Sequence, residues 1–239
     1  FRTTDHPAGD RPDQIVVTVA EDPSTSMSVQ WRTAAEASDA GVRYRAKSAP
    51  DAAPVEVAAR TIPVEDIGLL DDPLNYRHFA TLTGLAPATT YEYVVGDAGA
   101  WSDPAEFTTA PATEVAFSFL YMGDIQAGYE KWAALAEQAL TTCPRAAFCL
   151  TAGDQVNRGG ERNDWDAFFD QADDLFSRIP VAPAVGNHEI YDNEPRLYLD
   201  LFHLPANGPK GVTPERAYSF EYGGVLVVVD REQTQAELC

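Results

Sequence analysis

Between residues 11 and 110, apolar and polar positions alternate in short runs. "QIVVTVA", "SMSVQWRT", "GVRYRA", "RHFATLTGL", "TTYEYVVGD" and "AEFTTAP" are rich in Val, Thr and Tyr, and Pro, Gly, Asp or Ser clusters separate them. About seven such strands in roughly 100 residues predict a β-sandwich. Trp31 and Tyr91 read as core residues of it. The stretch from Pro50 to Tyr76 is longer and less regular, and "EDIGLLDDPLNY" within it predicts a surface excursion.

The pattern changes at "TTAPATE", Thr108 to Glu114. "VAFSFLYMGD", "RAAFCLTAGD" and "VAPAVGN" are continuous apolar runs, as parallel strands buried on both faces require. "YEKWAALAEQALTTC" and "RNDWDAFFDQADDLFSRI" lie between them with helical spacing. The second carries Trp165, Phe168, Phe169, Ala172, Leu175 and Phe176 on one stripe. Strands alternating with helices predict an α/β domain with a parallel sheet. "RAYSFEYGGVLVVVD" adds two strands turning near Gly223 and Gly224. The expected architecture is a β-sandwich over 1–110 followed by an α/β domain over 113–239.

Charge and composition narrow the partners. The 239 residues include 37 acidic and 17 basic side chains, a formal charge of -20. Such a surface repels polyanions and disfavours nucleic acid as a ligand. It leaves a small phosphate substrate open. No run of about 18 apolar residues occurs, so no membrane span is expected. The three cysteines, Cys143, Cys149 and Cys239, fit no zinc spacing. Cys149 reads as a buried strand residue, and a Cys143–Cys149 disulfide stays open.

Candidate chemistry sits at the strand ends. The three apolar runs close on Gly123-Asp124, Gly153-Asp154 and Gly186-Asn187-His188. Parallel strands bring their carboxyl ends to one edge, where α/β sheets bind ligands. Asp124, Asp154 and Asn187 are therefore expected to converge. Two carboxylates meeting at a dry edge repel unless one is protonated or a cation sits between them. Carboxylate and amide oxygens suit divalent or trivalent first-row metals. A pair of such ions could activate water and clamp a phosphoryl group.

The set "GDIQ…GDQVNRG…GNHEIYD" resembles the calcineurin-like metallophosphoesterase superfamily. "MSVQWRT" and "LTGLAPATTYEYVVGD…WSDPAEFTTAP" resemble a fibronectin type III-like module. Together they make the chain similar to the purple acid phosphatase-like branch. The resemblance implies hydrolysis of phosphate esters at a dinuclear centre of Fe, Zn, Mn or similar ions. By it, Asp124 would bind the first metal, Asp154 would bridge both, and Asn187 would bind the second through its side-chain oxygen. His188 would hydrogen-bond the phosphoryl group or protonate the leaving oxygen, and Arg158 and Tyr191 would touch substrate.

The sequence also departs from the family pattern. Asn157 stands where the purple enzymes carry a tyrosine, and Gln126 where other members carry a histidine. Either could coordinate through oxygen. The two later histidine elements of the family are missing, and His203 reads as local structure or substrate rim. The chain thus looks like the N-terminal part of a larger protein. A sheet cut in mid-domain would leave an unpaired edge and apolar surface for a C-terminal remainder or a second chain to cover. A secreted or periplasmic location fits the resemblance and the acidic, lysine-poor surface. The competing reading is a non-catalytic extracellular binding or adhesion protein with a relic phosphoesterase domain. A mononucleotide-binding domain is disfavoured, because "GDIQAG" is not a glycine-rich phosphate loop.

Overall fold

A computed structural model describes residues 1–37, 39–190 and 194–230. The first module contains β1 (Asp13–Thr18), β2 (Ser26–Thr33), β3 (Gly41–Ala46), β4 (Val55–Ala58), β5 (Arg60–Glu65), β6 (Leu74–Thr83), β7 (Thr90–Gly96) and β8 (Ala105–Thr108). They form two antiparallel layers, β5-β6-β2-β1 and β4-β3-β7-β8. Val17, Val29, Trp31, Val42, Tyr93 and Phe107 fill the space between them. The alternation read from the sequence is the alternation of faces. Trp31 is fully buried, and the Tyr91 hydroxyl accepts the Ala86 N–H at 2.8 Å.

Two strands lie in the stretch expected to be irregular. β5 is an edge strand that tolerates Pro63 because one side of its ladder is free. β4 is likewise an edge strand, and mostly exposed, so neither carries a strong apolar alternation. The excursion that follows β5 is not a free surface loop. Leu69 is buried, and Asp66 and Asp72 both bind Arg162 of the second module.

The second module places β9 (Leu120–Met122), β10 (Cys149–Thr151) and β11 (Val181–Pro183) in parallel register. Helices α1 (Tyr129–Thr142), α2 (Arg162–Asp170), α3 (Asp173–Phe176) and α4 (Arg196–Leu201) accompany them. The single helix expected over "RNDWDAFFDQADDLFSRI" breaks at Gln171-Ala172 into α2 and α3. Its stripe of Trp165, Phe168, Phe169, Ala172, Leu175 and Phe176 stays buried throughout. The hairpin β12 (Tyr218–Tyr222) and β13 (Val225–Val229) turns on Gly223 and Gly224, whose φ values of 57° and 85° suit glycine at a tight hairpin turn. Cys143 and Cys149 are both free thiols, and burial pushes the Cys149 thiol up to about 12. Cys239 lies outside the described residues.

The two modules share one sheet. β1 pairs in parallel with β11 at Thr18 and Val181, and the Val19 N–H donates to the Val181 carbonyl at 3.2 Å. The strand order becomes β5-β6-β2-β1-β11-β10-β9. Period and composition carry no signal for that long-range pairing. Charged groups reinforce it. Arg32 on β2 clasps Asp13 with two bonds of 2.8 Å and reaches fully buried Asp166 on α2 at 2.8 Å.

One expectation fails at β9. Its apolar run predicted burial on both faces, yet β9 closes the sheet as an edge strand, with Tyr121 68 % exposed. Leu226 and Val228 on β13 are 66 % and 68 % exposed. Both strands thus leave large apolar side chains exposed among the described residues. No described helix is long and apolar enough to cross a membrane.

Candidate functional site

The three strand-end loops meet. The Asp124 N–H points to the Gly153 carbonyl at 3.4 Å, and the Gln126 N–H donates to the Asp154 carbonyl at 3.2 Å. These bonds join the loop after β9 to the loop after β10. The His188 N–H donates to Asp154 Oδ1 at 3.0 Å, and the Gly159 N–H to the His188 carbonyl at 2.8 Å, joining β10 to β11. The loops that carry Asp124, Asp154, Asn187 and His188 thus join at one end of the sheet, but Asp124 and Asn187 are exposed, so the edge is not the dry one expected.

Both aspartates adopt the same unusual backbone. Asp124 has φ 54° and Asp154 has φ 53°, in the left-handed region that side chains other than glycine seldom enter. Such strain persists where surrounding contacts over-determine the conformation, and it clusters at functional sites. The loops also approach too closely for side chains. A Cβ on Gly186 would collide with Oδ1 and the backbone nitrogen of Asp154, and one on Gly159 with the backbone of Glu189. Both glycines are needed for contact between loops, which neither the place of Gly186 at the end of an apolar run nor that of Gly159 in a polar stretch reveals.

The remaining candidates separate. Asn157 is exposed; its N–H donates to the Tyr129 hydroxyl at 3.1 Å, and its carbonyl accepts from His188 Nδ1 at 2.9 Å. Arg158 is exposed and ion-paired with Glu161 at 3.0 Å. Asn187, His188, Asn157 and Arg158 line a cavity of about 480 Å3, to which Arg2, Asp66 and Gly68 of the first module also contribute. Asp124 and Asp154 are not among its lining residues. A larger cleft of about 710 Å3, beside β8, holds none of the candidates. His203 is local structure: Nδ1 meets Glu215 at 3.2 Å and Nε2 meets Thr81 at 3.1 Å. Tyr191 lies outside the described residues.

Two residues beside these loops received no role of their own from the sequence. Tyr129 opens α1 and accepts the Asn157 amide; burial pushes its phenol far up, so it stays neutral. Glu189 is fully buried and takes backbone N–H groups from both loops. Burial pushes its carboxyl up to about 7, against the pull of those amides. The signal available was the Glu that completes "GNHE".

The donor set bears on a metal. Among the described residues no three His, Cys, Asp or Glu side chains cluster closely enough to hold an ion. Four oxygen-bearing side chains nevertheless lie on the joined loops: Asp124 and Asn187 exposed, Asp154 and Gln126 half-buried. Gln126 Oε1 is buried with no hydrogen-bond partner, an acceptor whose burial costs free energy unless a cation or donor meets it. Carboxylate and amide oxygens are the donor types that suit hard cations.

Comparison with known proteins identifies the family and the fold. The chain has a sandwich module whose sheet runs on into a parallel αβ sheet with acidic strand ends, the build of a phosphoesterase. Residues 12–109 match the purple acid phosphatase N-terminal domain and residues 117–235 the calcineurin-like phosphoesterase domain. The chain belongs to the purple acid phosphatase-like metallophosphoesterases. Among solved structures it is similar to the purple acid phosphatase PPD1 of yellow lupin (Lupinus luteus) seeds. Their TM-score is 0.72 at 18 % identity, covering 89 % of this chain and 43 % of that one. It is also similar to PhoD, with a TM-score of 0.62 at 13 % identity, covering 95 % and 54 %. The chain thus spans about half the length of these relatives. No curated protein matches it in sequence.

Proposed function

We propose that this chain carries part of a metal-dependent centre that hydrolyses phosphate esters. Asp124, Asp154 and Asn187 would hold metal, with Asp154 between two ions, and Gln126 would add its orphaned carbonyl oxygen. The exposed side chain of Asn157 is a weaker candidate than Gln126, because its known contacts are made by its backbone. When bound, Fe, Zn, Mn or similar ions would supply Lewis acidity at the phosphoryl group and activate a water.

The protein's own contribution centres on His188. Its Nδ1–H donates to the Asn157 carbonyl, which fixes the tautomer and leaves Nε2 for the substrate. In the imidazolium form, Nε2–H can donate to a phosphoryl oxygen or to the leaving oxygen. Arg158 would have to leave Glu161 to reach a phosphate, so its assigned role is the cavity wall. Tyr191 remains a proposed substrate contact on the "EIYDN" segment.

The observation that carries this reading is the hydrogen-bonded union of the Asp124, Asp154 and His188 loops, with both aspartates held left-handed. The donors available are too few for two tightly held ions. Further polypeptide, a C-terminal remainder or a second chain, would complete the centre and cover the exposed apolar side chains of β9 and β13. A secreted or periplasmic setting belongs to the same proposal. The shortage of ligands favours a second reading, a non-catalytic binding protein with a relic domain.

Metal content and turnover of p-nitrophenyl phosphate separate the two readings. The first expects bound metal and turnover, both lost in Asp154→Ala with the fold retained by circular dichroism. Metal-free protein without turnover, in a form that includes the completing polypeptide, would support the relic.

A further inference from the structure

We propose that Glu189 is a positioning residue that sets the geometry of the metal-binding loops through backbone amides alone. The proposal rests on the metal-centre reading above and assigns a role to a side chain that would touch neither metal nor substrate.

Four amides converge on one carboxylate. Glu189 Oε2 accepts the N–H of Gly186 at 2.7 Å and of Asp154 at 2.8 Å. Oε1 accepts the N–H of Gln155 at 2.9 Å and of Val156 at 3.3 Å. The side chain is fully buried, so water does not compete for these donors. Only an acceptor-only group with two oxygens can take four donors arriving from two sides. An amide side chain would turn an NH2 group against N–H donors.

The placement of these amides gives the clamp its consequence. One belongs to Asp154 itself, whose left-handed backbone needs an external hold. Another belongs to Gly186, the residue before Asn187. The circuit closes where the His188 N–H donates back to Asp154 Oδ1 at 3.0 Å. One buried carboxylate therefore ties the bridging candidate on the β10 side to the amide and imidazole candidates on the β11 side. A displacement of either loop would separate oxygens that a single ion must reach together. Partners one shell beyond the ligands commonly change metal affinity by about 10- to 100-fold when removed.

A purely structural role predicts something different: loss of Glu189 would lower stability and affect metal binding no more than any equally destabilising change nearby. Tyr198→Phe provides that comparison. Tyr198 donates its hydroxyl to the Pro183 carbonyl at the end of β11, and Tyr218 keeps a second bond to the same atom.

The experiment compares wild type, Glu189→Gln and Tyr198→Phe by thermal unfolding, by titration with Mn2+ or Zn2+ alone, and by amide hydrogen exchange of the metal-free proteins. The expected result has three parts. Glu189→Gln binds metal at least about tenfold more weakly. Its Asp154, Gln155, Val156 and Gly186 amides exchange faster while those of β1 and β2 do not. Tyr198→Phe loses stability without losing affinity. Glu189→Asp, which keeps the charge but shortens the reach, replaces Glu189→Gln if the latter does not fold, with the same expectation. Wild-type affinity in the Glu189 variant, or an equal affinity loss in Tyr198→Phe at equal destabilisation, overturns the proposal. Should wild type bind no metal, the metal-centre reading fails by itself. Hydrogen exchange then decides the clamp: unchanged exchange at the four amides overturns it, and faster exchange confined to them supports it.

Discussion

At the scale of single residues, the site depends on groups that must be absent as much as on groups present. Gly186 packs its Cα face directly on Asp154 and on the Glu189 carboxylate. Gly186→Ala is expected to destabilise the protein by roughly 1–3 kcal/mol, the usual cost of overpacking a filled site. It should weaken metal binding as well, because the atom in the way is Asp154 backbone and cannot swing aside. Urea unfolding and metal titration of the variant check this; wild-type values in both would show that the loops have room to part. The strand-end motifs singled out Asp124, Asp154, Asn187 and His188 as candidates, since Gly-Asp or Gly-Asn closing an apolar run is a local pattern, and the structure joins the loops that carry them. Glu189 and Tyr129 were not singled out, because their value lies in backbone amides they meet from distant segments.

Among elements, alternation identified six strands of the sandwich, edge strand β8 among them, and missed the edge strands β4 and β5; β2, inside its sheet, is buried on both faces. β2 and β3 run over "SMSVQWRT" and "GVRYRA", the stretches that alternate most cleanly. β4 and β5 escaped because both are mostly exposed edge strands, and Pro63 interrupts β5. The junction of β2, β5 and β6 also contains a titrating group. His78 is fully buried, stacked on Trp31 at 5.2 Å, and bonded to Thr33 and Thr61 at 2.8 and 2.9 Å. Burial pushes its imidazole down from 6.5 to about 4, helped by the neighbouring Arg77 charge. The unfolded chain therefore takes up a proton between about pH 6.5 and 4 that the native protein refuses, so this residue's contribution to stability falls as acid is added across that window. Urea midpoints measured from pH 4 to 7 should rise with pH more steeply in wild type than in His78→Gln. Parallel slopes for the two proteins would refute the assignment.

For the whole molecule, the sandwich and the α/β module behave as one structure. They share a seven-stranded sheet and a buried charge network in which Asp166 meets Arg32 at 2.8 Å and Arg162 at 3.8 Å. Removing one partner leaves uncompensated buried charge, at a cost of about 3–5 kcal/mol. Asp166→Ala is expected to lower the unfolding midpoint while retaining a single calorimetric transition, since the network spans both modules. Two separate transitions would mean that the modules fold independently. The cavity beside His188 follows from the same union, for Arg2, Asp66 and Gly68 contribute to its lining.

The sequence alone determined what depends on neighbours in the chain: which runs alternate, which are apolar throughout, and where glycine followed by an acid or amide ends a strand. Those are consequences of side-chain periodicity and local backbone sterics. Tertiary structure alone decided the pairing of β1 with β11, the exposure of β9, the service of Asp66 and Asp72 to Arg162, and the amides gathered on Glu189. Each of these is a contact between segments far apart in the chain, and its free energy comes from burial and hydrogen bonding that exist only once the segments meet.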